Sequence, residues 1–223
     1  MVQLLPAAVA SRSHLFNGTA TLMTVTVIVG KIEVVGRWEP DARGRLASAA
    51  MALYGERGFD NTTVEEIAAR AGLTERTFFR YFADKREVLF GGAHELQEFL
   101  VAHVLEAPES QSPLEVIGTA YMSAGDDIFE ARRDFSRARQ AIIAANTELQ
   151  ERELIKLATL NAALAEALRR RGVGDPVASL AAESGGSAFR LGFERWIEDT
   201  KGKTMSTFIR ELLDELRAVA AGD

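Results

Sequence analysis

The sequence predicts an all-α protein in which three N-terminal helices, the second and third of them short, precede a helical bundle. From Pro40 onward, apolar residues recur every three or four positions, which is the period of a helix with one buried face. Capping residues, glycines and prolines divide this pattern into segments of helical length. With 223 residues, of which 47% are hydrophobic and 26% charged, the chain is long and apolar enough to bury a core.

Residues 1–36 lack this helical period and mix small, β-branched and apolar residues. The apolar run over 22–29 is too short to span a bilayer as a helix. A polar stretch follows Arg12, and no clear cleavage site follows the apolar run, which argues against a signal peptide. We expect a poorly ordered extension, a short strand, or an artefact of the translation start, with Met23 or Val35 as the alternative start.

Two helices are predicted at the start of the helical part. The first begins at Asp41, whose side chain is suited to cap it, and ends at Gly58. Thr63 and Glu66 have the S/T-x-x-E spacing of a capping box, which opens a second helix that runs to Ala71.

The segment Val64–Phe82 is typical of a helix-turn-helix, with a third short helix as its second arm. Gly72 permits a left-handed turn, and Thr74 caps the helix that follows it. Phe78 and Phe82 lie four residues apart and are expected to be buried on one face. The opposite face carries side chains that suit base edges and phosphates; they are Arg76, Thr77, Arg80 and Tyr81.

The block from Arg45 to Phe90 resembles the DNA-binding domain of the TetR/AcrR family of transcriptional regulators. The matching segments are ALYGERGF at 52–59, TTVEEIAARAGLT at 62–74, and TFFRYF at 77–82, together with Lys85 and Leu89. The resemblance implies that residues 37–90 bind DNA and that residues 91–223 form a helical ligand-binding and dimerisation domain. It further implies a cytoplasmic homodimer that binds a palindromic double-stranded operator, most simply a repressor that an unknown small-molecule effector releases.

The resemblance also implies which residues contact DNA. Thr63 and Lys85 match phosphate contacts, Thr77 and Tyr81 match positions that hold the backbone or base edges, and Thr74 matches the family's usual cap. The full expected set is Thr63, Thr74, Glu75, Arg76, Thr77, Phe79, Arg80, Tyr81 and Lys85.

Several of these positions keep more than one interpretation. Arg76 stands where the family often has glycine, and contacts either a base or a phosphate, or merely belongs to a solvated face. Phe79 stands where tyrosine is common, so its contact is expected to be apolar, for example with a thymine methyl. Glu75 accepts from cytosine, pairs with a neighbouring arginine, or makes no contact. Arg43 and Arg45 either reach phosphates or do not.

The distribution of charge does not favour a nucleic-acid binder. The formal net charge is -6, and residues 37–90 carry nine basic and nine acidic residues. DNA binding usually requires a basic surface, so any contact must come from a few well-placed groups. The alternative is a helical ligand-binding or protein-interaction module that does not use its helix-turn-helix on DNA.

The remaining sequence predicts further helices separated by short breaks. Asp84 is expected to cap a helix from Lys85 to about Glu106, and Pro113 to open another that ends near Phe129. Later helices are predicted at about 131–145, 147–171, 176–199 and 204–220.

Two surfaces are expected within these helices. The last two helices carry apolar residues that would form a four-helix dimer interface, or alternatively an ordinary intrachain core; they are Phe189, Phe193, Trp196, Phe208, Leu212, Leu213 and Leu216. The middle helices are expected to enclose an apolar effector pocket; its candidate residues are Tyr121, Phe129, Phe135, Arg139, Ile143, Asn146 and Asn161.

No catalytic or metal-binding pattern stands out, so neither an enzyme nor a cofactor is expected. Cysteine is absent, which removes disulfide and thiolate chemistry and fits a reducing cytoplasm. His14, His94 and His103 lack metal-ligand spacing. Asp126 and Asp127 point about 100° apart on a helix, which favours a solvated face over an acid–base pair. No membrane partner is expected.

Overall fold

A computed structural model describes residues 41–222, so the expectations for residues 1–36 lie outside the described residues. Within 41–222 the chain is helical without strands, which confirms the predicted all-α fold. The helices are α1 (Ala42–Arg57), α2 (Val64–Arg70), α3 (Glu75–Tyr81), α4 (Ala93–Glu106), α5 (Pro113–Ala124), α6 (Arg133–Ala144), α7 (Thr147–Arg170), α8 (Val177–Glu198) and α9 (Met205–Ala221). A π-helical turn at Gly125–Phe129 and a 3-10 turn at Glu130–Arg132 join α5 to α6. None of the helices in this range has the length and apolarity needed to cross a bilayer.

The first helices begin and end where their capping residues predict. Asp41 accepts the backbone N–H of Gly44 at 2.9 Å, and Gly58 ends α1 with a φ of +83°. Both halves of the predicted capping box form between Thr63 and Glu66. Local hydrogen bonds therefore set these boundaries, as the sequence indicates.

The helix predicted to begin at Lys85 begins at Ala93 instead. Asp84 does cap, because its carboxylate accepts the backbone N–H groups two and three residues later. The chain then continues as successive turns with hydrogen bonds between residues three apart. Gly91 and Gly92 disfavour helix, so the regular α-helix starts only after them.

Two hydrophobic cores form among the described residues. The N-terminal core is built from α1, α2, α3 and residues 82–90, and it also takes in Ile142, Ile143 and Leu149 from the α6–α7 corner. The bundle core is built from α4, α5, α7, α8 and α9. Side chains of the corner are therefore part of the core beneath the helix-turn-helix.

Two adjacent glycines allow helix α8 to pack closely in the bundle. A Cβ at Gly185 would overlap the side chain of Ile117 on α5. A Cβ at Gly186 would overlap the amide of Asn161 on α7. The small residues in this run therefore serve close helix packing.

Candidate nucleic-acid interface

The third helix is fixed from its inner side by aromatic packing. Phe78 is fully buried, and its ring lies 5.5 Å from that of Phe82. The hydroxyl of Thr74 accepts the N–H of Thr77 at 3.2 Å and caps the helix. Gly72 adopts a φ of +67° in the turn before it, which favours glycine. These contacts determine which face of α3 points outward.

The outer face of α3 presents the side chains that the sequence predicts. Glu75, Arg76 and Arg80 are exposed, and Phe79 is 55% exposed although it is a large apolar residue. The guanidinium of Arg80 lies 4.9 Å from the centre of the Tyr81 ring and donates to its hydroxyl at 3.1 Å. This contact holds the guanidinium of Arg80 beside the Tyr81 ring on the outer face.

The neutral charge of this region has a structural explanation. Arg70 makes two hydrogen bonds of 2.6 Å to Glu56, and these join α2 to α1. Arg57 binds Glu66 at 2.8 Å across the same two helices. Neither Arg76 nor Arg80 forms an ion pair with any residue in 41–222. The carboxylates therefore neutralise arginines that hold the fold together, and the cations of the outer face remain available.

Glu75 makes no ion pair within the described part of the chain, although pairing with an arginine was one of its three interpretations. Its side chain is exposed at the first position of α3. The interpretations that remain for Glu75 are acceptance from cytosine and no contact.

Thr63 and Lys85, the expected phosphate contacts, are already engaged by the protein. The N–H of Thr63 donates to the Glu66 carboxylate at 3.0 Å. The ammonium of Lys85 donates to the carbonyls of Phe59 at 2.9 Å and Thr62 at 3.0 Å, and lies 4.4 Å from the Phe59 ring centre. Lys85 therefore holds the loop that leads into α2.

Tyr54 joins the same network from α1. Its hydroxyl donates to the carbonyl of Lys85 at 2.6 Å, and its ring packs edge-on against Phe59. Burial raises the pKa of Tyr54 well above its ordinary value, so the hydroxyl remains a donor at any physiological pH.

The two arginines in the first turn of α1 also bind within the protein. Arg43 pairs with Glu95 at 2.6 Å and donates to the carbonyl of Gly91. Arg45 donates to the carbonyl of Ala71, next to the turn of the helix-turn-helix. Both side chains therefore position α1 against its neighbours.

A polar seam, which the sequence analysis missed, joins residues 84–90 to the bundle. The carboxylate of Glu87 accepts from Arg152 at 2.6 Å and from Lys156 at 3.0 Å, both on α7. Arg139 on α6 donates to the carbonyl of Leu89 at 2.7 Å. These partners are 50 to 69 residues apart in sequence, so no local pattern could have indicated them.

The cations of this seam lower the pKa of Glu87. Burial by itself would raise that pKa, but hydrogen bonds from Arg152 and Lys156 outweigh the effect and hold it below its ordinary value of 4.5. Glu87 is therefore charged at neutral pH, and the seam is an ion-paired contact.

The structure brings together three of the seven residues proposed for an effector pocket. The hydroxyl of Tyr121 lies 3.4 Å from the amide oxygen of Asn161, and the amide nitrogen donates to Glu183 at 2.8 Å. Phe129 packs edge-on against Phe189 in the same bundle core. Burial raises the pKa of Tyr121, so its hydroxyl stays protonated.

The other four pocket candidates lie elsewhere, because α6 packs against the N-terminal core. Ile143 is buried in that core, and Arg139 belongs to the polar seam. Asn146 donates to the carbonyl of Ile142 at the end of α6, and Phe135 is 47% exposed. In the described part of the chain, no group of three or more histidine or carboxylate side chains is placed to hold a metal ion.

The apolar residues of the last two helices divide between core and surface. Four of the seven predicted interface residues are buried within this chain, namely Phe189, Trp196, Leu212 and Leu213, whereas Phe193, Phe208 and Leu216 are half-buried. The large apolar side chains that α8 exposes are Val177, Leu180 and Leu191. Leu180 and Leu191 lie eleven residues apart, which places them on the same side of the helix.

Comparisons with known proteins agree with the position of the motif. Residues 46–90 match the family model described as bacterial regulatory proteins, tetR family. The HTH-type transcriptional regulator TcmR of Streptomyces glaucescens is 34% identical over 79 residues, which is 35% of each chain. The HTH-type transcriptional repressor KstR2 of Mycobacterium tuberculosis is 31% identical over 87 residues, which is 39% of this chain and 44% of that protein. The chain thus matches less than half the length of these curated relatives.

A solved structure extends the likeness of fold beyond the motif. The crystal structure of Thermus thermophilus FadR, a TetR-family transcriptional repressor in complex with lauroyl-CoA, has 25% identity and a TM-score of 0.51. The match covers 78% of this chain and 93% of that one. The helical bundle is therefore shared, as well as the three N-terminal helices.

Proposed function

We propose that this chain, which belongs to the TetR family of bacterial regulatory proteins, is a transcriptional repressor that binds an operator as a homodimer and is released by a small molecule. The observation that carries the proposal is the outer face of α3, where Arg76 and Arg80 remain without ion pairs while neighbouring cations are engaged within the fold. We place this activity in the cytoplasm, where a bacterial chromosome lies, and propose no enzymatic role.

The side chains of α3 suit the major groove of double-stranded DNA. Arg80 is exposed, stacks on Tyr81, and carries a guanidinium suited to bidentate contact with guanine. Phe79 is an exposed apolar group of the kind that contacts a thymine methyl. Because Lys85 and Thr63 are bonded inside the protein, we assign them to positioning the motif rather than to direct phosphate contact.

A homodimer would place two such helices on one palindromic operator. The recognition helices must then lie about 34–36 Å apart to enter successive major grooves. Leu180 and Leu191 on α8 offer an apolar stripe for an isologous contact between two copies, with Ser184 and Ser187 on the same side and small enough for close approach.

Release from the operator requires an effector that binds a conformer with misplaced recognition helices more tightly than it binds the DNA-binding conformer. A hundredfold loss of DNA affinity corresponds to about 2.7 kcal/mol of differential binding, which is within the usual range of coupling between two sites. The lauroyl-CoA bound to FadR shows that a protein of this fold holds a small molecule, and here we propose the bundle core as the equivalent place.

The test is a fluorescence anisotropy titration of the full chain with DNA from the region flanking its own gene. We expect specific binding that weakens steeply with salt, because phosphate contacts release counterions. Arg80→Ala should cost about 1–3 kcal/mol, or roughly 5- to 150-fold in affinity. Arg170→Ala, which removes the same charge from an exposed position at the end of α7, should leave affinity unchanged. If the affinity for DNA depends neither on salt nor on Arg80, the alternative is favoured, namely a helical module that does not use its helix-turn-helix on DNA.

A further inference from the structure

The bundle core contains a connected group of aromatic rings, which we call the aromatic cluster, made of Tyr121, Phe129, Phe189, Phe193 and Trp196. At one end, the rings of Tyr121 and Phe189 stack with centres 4.6 Å apart. At the other end, Phe193 and Trp196 lie 5.8 Å apart. Phe129 touches both ends, since its ring contacts those of Phe189, Phe193 and Trp196.

One polar group in this cluster has no partner. Trp196 is fully buried, and its indole nitrogen Nε1 makes no hydrogen bond. An indole N–H can only donate, and its ring neighbours Phe129, Phe193 and the Arg133 guanidinium offer no acceptor. Buried donors are nearly always satisfied in folded proteins, so an acceptor from outside the chain is the simplest missing partner.

The backbone beside this group is also unusual. Phe129 is carried by the π-helical turn Gly125–Phe129, and such turns occur frequently at functional sites. The side chain of Phe129 is only half-buried, although it contacts three buried or half-buried rings. Displacement of Phe129 would therefore open the cluster at both ends, because this ring contacts both.

The charges around Trp196 restrict what the acceptor can be. The Arg133 guanidinium lies 4.8 Å from the centre of the Trp196 ring, but it already faces the carboxylates of Glu130 and Asp199 at 3.6 Å. The nearby Arg137 guanidinium is engaged as well, because it donates to the carbonyl of Ile197 at 2.8 Å and pairs with Asp134. A bound carboxylate would find no unpaired cation there, whereas a neutral carbonyl oxygen needs only a donor.

We infer that the aromatic cluster is the effector site and that its ligand is a neutral, flat aromatic compound whose carbonyl oxygen accepts the Trp196 N–H. This inference rests on the proposed function, because it names the class of molecule that releases the operator. The rings supply stacking and edge contacts for the flat body. The single donor supplies orientation, in keeping with apolar pockets that contain few polar groups.

Three naphthalene compounds test separately what the aromatic body, the carbonyl acceptor and a negative charge contribute to binding. 2-Acetylnaphthalene has a neutral carbonyl, naphthalene has no acceptor, and 2-naphthoate carries a negative charge. Calorimetric titration of the full chain without DNA should show the ketone binding at least tenfold more tightly than either of the others. The indole N–H resonance of Trp196 should shift downfield in NMR spectra with the ketone alone.

Trp196→Phe keeps an aromatic ring and removes the donor. We expect this variant to remain folded and to bind the ketone and naphthalene equally, while Trp38→Phe keeps the tenfold preference and identifies the resonance. Equal binding of the ketone and naphthalene by the unchanged chain, failure of the ketone to bind, or strongest binding of naphthoate would each overturn the inference.

Operator binding is measured separately by anisotropy, so the two proposals fail independently. If DNA binds and the ketone does not, the repressor assignment stands and this site is wrong. If the ketone binds with the expected preference but the chain does not bind DNA, the ligand site stands without the regulatory role.

Discussion

The helix-turn-helix region, residues 42–90, and the helical bundle, residues 93–221, differ in the interaction that they leave unmade, which is an ion pair in the first and a hydrogen bond in the second. In the first region, Arg76 and Arg80 make no ion pair at the surface, whereas Arg57 and Arg70 pair with carboxylates and join α1 to α2. In the bundle, the aromatic rings lie inside, and the N–H of Trp196 has no acceptor. An unpaired cation at the surface suits a polyanion, whereas an unpaired donor in an apolar interior suits a small molecule.

The difference in chemistry does not make the two regions independent. Ile142, Ile143 and Leu149 belong to the N-terminal core although they lie at the α6–α7 corner. The polar seam at Glu87 covers the same junction with ion pairs to α7. A displacement of the corner by a ligand in the bundle would therefore reach the base of the helix-turn-helix through both apolar and charged contacts.

The largest expected effect comes from removing the shared apolar contact. Ile143→Ala should destabilise the protein by about 2–5 kcal/mol, because Ile143 is fully buried where the two regions meet. Ile155→Ala, at a site that is 57% exposed on α7, should change stability by less than about 0.5 kcal/mol. Denaturant unfolding of both variants measures this. Similar values would mean that the corner does not support the N-terminal core.

A second prediction concerns the exposed face of α8. In the homodimer that we propose, Leu180→Glu should raise the dissociation constant at least roughly tenfold, because like charges would meet across an isologous contact. Leu180 is 64% exposed, so the fold of each chain should survive. Leu154→Glu, 61% exposed on α7, is the matched control. Sedimentation of both variants distinguishes them, and a dimer unaffected by Leu180→Glu would place the interface elsewhere.

A third prediction decides between the interpretations of Arg76. If Arg76 contacts a base, Arg76→Ala should cost about 1–3 kcal/mol and relax the preference at one operator position. If it contacts phosphate, affinity should fall equally for all sequences and the salt slope should decrease by about 1. Competition with singly substituted operators at several salt concentrations measures both quantities. No change in either would assign Arg76 to a solvated face.

The smallest effect is expected at the polar seam. Glu87→Gln should cost roughly 1 kcal/mol at pH 7, since Arg152 and Lys156 are about a third exposed and solvent screens the pairs. The pKa of Glu87 is lowered in the fold, so its contribution is complete above pH 4.5 and is lost as the pH falls below that value. Unfolding curves of the two proteins should therefore converge in acid. A difference that does not shrink as the pH falls below 4.5 would exclude this ion-pair origin.

The features that the sequence predicted correctly depend on residues only a few positions apart. Asp41, Thr63 and Thr74 cap their helices because each cap needs a partner only three residues away. The burial of Phe78 and the exposure of Arg76 likewise follow from helical spacing alone. These local rules were enough for the element order and for the outer face of α3.

The rest depends on contacts between distant segments. Lys85 was expected to contact phosphate because of its charge. Its ammonium instead binds three carbonyls of residues 59–62, and no local sequence pattern indicates these partners. Ile143 was expected in a ligand pocket because it is apolar and lies on a middle helix, whereas packing places it in the other core. The pocket residues that the structure did bring together, Tyr121, Phe129 and Asn161, are those whose helices meet α8 at its glycines or aromatic rings.

The position of Ile143 and Leu149 also sets a rule for recombining proteins of this kind. A chimera cut at residues 90 and 91 would transplant the helix-turn-helix but leave behind part of the floor on which it rests. The recipient bundle would have to supply side chains of matching volume at its own α6–α7 corner. The helix-turn-helix of this chain therefore keeps its own support in a chimera only if the α6–α7 corner is transferred with it, although more than fifty residues separate the two along the chain.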